Sequence, residues 1–255
     1  MSAIPLVLVE RMRSAGSVLV LTGAGVSAES GIPTFRDALS GLWARYRPED
    51  LATPEAFARQ PDLVWRWYQW RRRMVDEAQP NPGHRALAAL QRRVGGMMLV
   101  TQNVDGLHQR AGSTDVVELH GNLFDDCCSA AGCAQSAPTA SLDQASPPPC
   151  PRCGAPLRPG VVWFGEPLPE AALERATQAA GSCDLVFSVG TSALVYPAAE
   201  LAWIAARSGA AVVEINPEPT PLTAAADFVF SQPGGVALPA ILRAMGPDPS
   251  DGAHL

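Results

Sequence analysis

Four apolar, largely β-branched runs punctuate the chain: Val18–Thr22, Met97–Thr101, residues 184–189 and Ala211–Ile215. Each has the look of a buried parallel strand, each ends in glycine or small polar residues, and segments of helical period separate them. This order predicts an α/β fold built on a Rossmann-like, doubly wound parallel sheet, which binds ligands at the carboxyl ends of its strands. Residues 4–9 begin a first amphipathic helix, because Glu10, Arg11 and Arg13 follow the apolar stretch where a secretory signal would place charge first. Two stretches break the alternation. Residues 39–79 are rich in Trp and Arg, and residues 125–159 hold most of the cysteines and the run Pro147-Pro148-Pro149. They are expected to form a smaller lobe, part helical and part metal-binding, beside a main domain of residues 1–38, 80–124 and 160–245. Residues 246–255 read as a flexible tail.

Within the first insertion, residues 61–78 carry a helical pattern. Leu63, Trp67, Trp70 and Met74 fall at i, i+4, i+7 and i+11, a core stripe, whereas Arg71-Arg72-Arg73 reads from composition alone as a solvated face.

Composition narrows the function. The chain has 255 residues, 47% of them hydrophobic and 17% charged, enough to bury a full core. No run approaches the ~18 apolar residues of a membrane span. A net charge of −6 lacks the basic footprint of nucleic-acid binding. A cytoplasmic monomer is expected.

The cysteines suggest a metal. Cys150-Pro151-Arg152-Cys153 is a CxxC knuckle, and Cys133 with either Cys127 or Cys128 supplies a second pair. Four thiolates in two close pairs make the closed tetrahedral site of structural zinc. A zinc ribbon that binds nucleic acid is a competing reading, but residues 138–149 contain no basic or aromatic side chain.

The first strand leads into Gly23-Ala24-Gly25-Val26-Ser27-Ala28, a G-x-G-x-x-A turn. In such turns the first glycine allows the tight bend, the second lets backbone approach a pyrophosphate, and the third small residue allows close packing. An ordinary strand-to-helix turn gives the same pattern. The acidic residue that a dehydrogenase places about 20 residues on is missing, since that region reads Gly41-Leu42-Trp43-Ala44-Arg45-Tyr46. Asn103 and Asp105 follow the second strand at the ligand-binding edge, where an amide and a carboxylate could grip a carboxamide and a ribose hydroxyl, or merely cap a helix. His120 lies between a short apolar run, residues 116–119, and Gly121, where an imidazole could face a cleft as general base.

These blocks together resemble the sirtuin signature. The turn continues as Glu29-Ser30-Gly31-Ile32-Pro33-Thr34-Phe35-Arg36, and Thr101-Gln102-Asn103-Val104-Asp105-Gly106-Leu107-His108, Glu118-Leu119-His120-Gly121-Asn122 and Gly190-Thr191-Ser192 follow in the family's order. The resemblance implies an NAD-dependent protein-lysine deacylase. NAD would be consumed as co-substrate, with Gly23, Ala24, Gly25, Ser27, Glu29, Phe35, Arg36, Gln102, Asn103, Asp105, Gly190, Thr191, Ser192 and Asn216 at its site. His120 and Asn103 would be catalytic. The resemblance also puts the first zinc ligand eight residues after His120, which selects Cys128, with Cys133, Cys150 and Cys153, for one structural zinc and leaves Cys127 to packing. The products implied are nicotinamide, 2′-O-acyl-ADP-ribose and free lysine. The partner is an acylated lysine in a protein or peptide, lying along Val161-Val162-Trp163-Phe164-Gly165 as an added strand. Mono-ADP-ribosyl transfer at the same NAD site is the alternative.

Tyr68-Gln69-Trp70-Arg71 resembles the YxxR pair of class III sirtuins, whose phenol and guanidinium bind the carboxylate of malonyl-, succinyl- or glutaryl-lysine. Ala38 is the candidate small residue that leaves room for such a group. Acetyl and acidic acyl groups are both expected substrates.

Overall fold

The structure, a computed structural model, describes residues 4–33, 46–139 and 141–247. Its centre is a six-stranded parallel sheet ordered β3(Val116–Glu118), β2(Met97–Thr101), β1(Val18–Thr22), β7(Leu185–Val189), β8(Ala211–Ile215), β9(Phe228–Phe230). The expected doubly wound architecture is present. The direction of winding reverses at β1, which pairs with β2 on one side and β7 on the other. A ligand crevice belongs at the carboxyl ends of these strands.

Every residue of β1, β7 and β8 is buried. Side chains alternate between two cores. Val18 and Val20 face one that includes Leu8 of α1(Leu6–Ser14), Leu87 and Leu90 of α6(Pro82–Arg93), and Leu238 and Ile241 of α10(Gly234–Ala244). Leu19 and Leu21 face the other, with Ala176 and Ala180 of α8(Glu170–Ser182) and Leu201 and Ala205 of α9(Glu200–Arg207). Helices on both faces explain the unbroken apolar runs. The third run starts one residue later than expected, because the Asp184 carboxylate turns back to accept the N–H groups of Gly16 and Ser17 at 2.8 and 2.9 Å.

The smaller lobe packs α4(Pro54–Arg59) and α5(Pro61–Glu77) against a three-stranded antiparallel sheet, β5(Ser136–Pro138), β4(Gly121–Cys128), β6(Leu157–Val161). β4 runs continuously from the residue after His120 into the cysteine module.

The expected stripe on α5 is only part of what the helix buries. Trp67 lies in the core with Leu63 and Trp70 half-buried against it, and Met74 is half-buried, while Val64, Trp65, Tyr68, Gln69, Arg72 and Val75 are buried as well. The helix is covered on more than one side: Tyr68 and Trp67 join Leu123, Val161 and Trp163 in one core. Elsewhere Trp65 Nε1 and Gln69 Nε2 donate to the carbonyls of Gln144 and Ser141. Nor are the three arginines a solvated face. Arg73 is exposed and Arg71 half-buried, but Arg72 is fully enclosed and paired with Asp126 at 2.6 Å. Its guanidinium also donates to the carbonyls of Leu123 and Asp125 and lies 5.1 Å from the Trp65 ring. Such multiple satisfaction is what permits a charge to be buried.

Candidate active site

The loops after β1 and β7 cross backbone to backbone. Gly23 and Gly25 donate their N–H groups to the carbonyls of Val189 and Gly190 at 3.1 and 2.9 Å. A Cβ at Gly23 would lie 2.8 Å from the Gly190 oxygen, and one at Gly190, where φ is +60°, 2.4 Å from the Val26 nitrogen. These glycines are therefore required by the crossing itself, whatever they also allow a ligand to do. Ala28, read from the sequence as a close-packing position, is exposed; Val26 and Ser27 are the buried residues of this short helical turn. Ala24 is half-buried. Glu29 reaches α10, where its Oε2 accepts the Gly235 N–H at 2.6 Å. Just past β8, Asn216 Nδ2 donates to the Thr191 carbonyl in the loop after β7 at 2.7 Å, and the hydroxyls of Thr191 and Ser188 are bonded at 2.9 Å. Ser192 is half-buried next to them.

A buried polar network joins β1, β2 and α6 beneath this crossing. Asn103 Nδ2 donates to Ser27 Oγ at 3.0 Å, and Ser27 Oγ donates to Asp105 Oδ2 at 2.7 Å. The other Asp105 oxygen accepts the Leu107 N–H at 2.9 Å. His84 Nε2 sits 3.4 Å from the same Ser27 hydroxyl. Its Nδ1 accepts the Asn81 N–H in a capping box, so Nε2 carries the hydrogen and donates towards Ser27. Asn81 Nδ2 meanwhile donates to the Val26 carbonyl and to Ser30 Oγ, clipping α6 onto the glycine turn. Sequence reasoning passed over Asn81 and His84. The available signal was Asn-Pro at the start of a helical pattern, a cap with proline in the first turn.

His120 stands half-buried between β3 of the main sheet and β4 of the smaller one. Its Nδ1 lies 2.9 Å from the Gln102 carbonyl, which can only accept, so Nδ1 bears the hydrogen and Nε2 keeps a basic lone pair. Burial pulls its pKa below the ordinary 6.5, opposed by that hydrogen bond, and leaves a neutral imidazole at neutral pH. The His120 carbonyl accepts the Val162 N–H at 2.9 Å, which fixes the segment after β6 beside the histidine. Along that segment Val161 and Trp163 are buried, Val162 is half-buried, and Phe164 and Gly165 are exposed.

Tyr68 meets this segment from α5: its Oη accepts Trp163 Nε1–H at 2.9 Å. The Arg71 guanidinium lies 5.8 Å from the Tyr68 ring and 5.1 Å from that of Trp67. Burial lowers the Arg71 pKa, and the negative potentials of Tyr68 and Asp105 oppose the shift. Phe35, Arg36 and Ala38 lie outside the described residues.

The sulfur atoms of Cys128, Cys133, Cys150 and Cys153 all fall within 4.8 Å of one another. Cys128–Cys153 and Cys133–Cys150 separations are 3.4 and 3.8 Å, near the ~3.8 Å edge of a tetrahedron with zinc–sulfur bonds of about 2.3 Å. Cys127 is not among them and turns its thiol to the Pro159 carbonyl, and Cys183 is buried in the core. An all-thiolate donor set with this geometry fits one structural zinc.

Residues 23–197 match the model of the Sir2 family. The chain belongs to that family. A curated relative, the NAD-dependent protein deacylase of Ralstonia nicotianae, is 58% identical over 231 residues, covering 91% of this chain and 93% of its own. That of Thermus thermophilus is 54% identical over 250 residues, covering 96% of each. Among solved structures, a Sir2 homolog–NAD complex superposes with a TM-score of 0.89 at 47% identity, covering 96% of this chain and 94% of that one. A Sir2–p53 peptide–NAD+ complex gives 0.79 at 31% identity, covering 92% and 96%. This sirtuin is accordingly an enzyme of the NAD-dependent protein deacylase class, with NAD as co-substrate. Among its described residues no helix is long and apolar enough to cross a membrane.

Proposed function

We propose that this sirtuin removes acidic acyl groups, succinyl and malonyl, as well as acetyl from lysine, releasing nicotinamide and 2′-O-acyl-ADP-ribose. The observation that carries the acyl preference is that Tyr68, whose hydroxyl is buried against Trp163, has the half-buried Arg71 guanidinium 5.8 Å from its ring, so a phenol and a guanidinium share one corner of the site. Charge-assisted hydrogen bonds from such a pair to a carboxylate are strong, and stronger away from water.

In the reaction, the acyl oxygen of the modified lysine attacks the anomeric carbon of the nicotinamide ribose, and nicotinamide leaves. His120 Nε2 takes the proton of a ribose hydroxyl as that oxygen attacks the imidate carbon; water then completes release of the amine. Held by Gln102 through Nδ1, the imidazole presents the correct nitrogen. Asn103 and Asp105, tied together through Ser27, orient ribose and carboxamide. A peptide strand lies along Val161 to Gly165, as the extended substrates of added-strand recognition do. Six cysteines with no disulfide among them suit a reducing cytoplasm.

A panel of acetyl-, malonyl-, succinyl- and glutaryl-lysine peptides, assayed with and without labelled NAD, tests this reading. Succinyl turnover above acetyl turnover, with Arg71→Met removing mainly the former, is expected. Equal loss of both activities overturns the carboxylate role, and label on protein with no acyl-ADP-ribose overturns deacylation.

A further inference from the structure

Trp163 and Tyr68 stand 95 positions apart and are both buried, joined by a single hydrogen bond from the indole N–H to the phenol oxygen. The indole is held from several directions. The Arg158 guanidinium lies over its ring, 3.8 Å from the centroid. Arg158 in turn grips both oxygens of Glu166, at 2.6 and 2.8 Å. Glu166 Oε2 also accepts the backbone N–H of Trp163 at 2.8 Å. Phe57 packs against the indole with a centroid distance of 5.4 Å. The N–H therefore has a fixed direction.

An indole nitrogen can donate and cannot accept. Its hydrogen occupies one lone pair of Tyr68 Oη, and the phenol's own hydrogen must turn away from it. Burial pushes the Tyr68 phenol up to about 12, so that hydrogen stays on the oxygen throughout the neutral range. A phenol oriented in this way is a donor, which suits a carboxylate and offers nothing to a methyl group.

We propose that Trp163, clamped by Arg158 and Glu166, is a specificity-determining positioning residue that sets the Tyr68 hydroxyl as a donor to the carboxylate of an acidic acyl-lysine. The inference rests on the reading of Tyr68 and Arg71 as the carboxylate-binding pair. Its signature is in acyl selectivity: freed from the indole, the hydroxyl can rotate, and acidic acyl groups lose more than acetyl does. Because Trp163 belongs to the peptide-binding segment, both activities will fall, and their ratio is the quantity to read.

The experiment compares kcat/KM on succinyl- and acetyl-lysine forms of one peptide for the full chain, Trp163→Phe, Tyr68→Phe and the double variant. Trp163→Phe keeps a ring beneath Arg158 and removes the N–H; Trp163→Met serves should the first not fold. Both rates come from one sample, so any inactive fraction cancels in the ratio. A drop of about tenfold in the succinyl-to-acetyl ratio is expected for Trp163→Phe, of the order a lost hydrogen bond to a partly charged assembly gives. In the Tyr68→Phe background, Trp163→Phe should lower the ratio no further, since the tryptophan acts through the phenol. If Tyr68→Phe lowers the ratio and Trp163→Phe does not, or lowers it equally in both backgrounds, the positioning role is overturned while the acyl reading stands. If Tyr68→Phe and Arg71→Met both leave the ratio unchanged, the acyl reading itself is overturned.

Discussion

Ser27 donates a hydrogen bond to Asp105 across 2.7 Å while accepting one from Asn103, so a single hydroxyl sets the two residues that follow β2. Both partners are buried. Ser27→Ala leaves the Asn103 amide without its acceptor and Asp105 Oδ2 without its donor, the Leu107 N–H still bonding Oδ1, at about 1–3 kcal/mol. We expect the KM for NAD to rise roughly tenfold or more in steady-state assays on an acetyl peptide. An unchanged KM would detach this network from NAD binding.

His120 must be neutral to accept a proton, and burial lowers its pKa. Activity should therefore persist as pH falls through 6.5, with the acid limb of the kcat/KM profile below that value. His120→Ala should lower kcat by about 10²- to 10⁴-fold. An acid limb above 6.5 in the wild type contradicts the assignment.

Arg72 and Asp126 tie α5 to β4, with side chains 0% and 4% exposed. Arg72→Met strands a buried carboxylate and two carbonyls, a loss of about 3–5 kcal/mol. For a chain of this size that corresponds to a Tm lower by roughly 6–20 °C, read by circular dichroism. Replacing both partners, Arg72→Met with Asp126→Leu, should recover part of the loss, since no charge is then left alone.

Two buried histidines lie beneath the site, their rings 4.8 Å apart. Burial pulls His108 down to about 3, and His84 down as well. In the unfolded chain both would titrate near 6.5. Between those limits the unfolded state binds more protons, so stability is complete above about 6.5 and drains away as pH falls towards 3. Melting curves from pH 8 to 4 should show Tm falling from the upper sixes downward, with a shallower slope in His108→Gln. An identical slope in that variant would assign the acid sensitivity to other groups.

The zinc cluster separates two adjacent thiols. Cys128→Ser should lose bound metal in elemental analysis, because Cys128 lies in the four-sulfur cluster. Cys127→Ser should retain it, since that thiol faces the Pro159 carbonyl. Equal loss in both variants would undo the distinction.

The sequence alone determined the four inner strands of the sheet, because strands buried on both faces must be apolar throughout, and runs such as Val18–Thr22 show it directly. It also determined that close cysteine pairs would hold a metal, and the motif residues at the strand ends, but the pairing left Cys127 and Cys128 open until the structure put Cys128 in the cluster. Only the tertiary structure decided that Arg72 is enclosed while Arg73 is exposed, since the difference depends on a carboxylate 54 positions away. It likewise decided that Gly25 is pressed against Gly190, that His84 faces Ser27 and that Trp163 reaches Tyr68. Local period records which face of an element is covered. It carries no record of the partner that covers it, and hydrogen bonds between distant segments exist only once the sheet has brought their ends together.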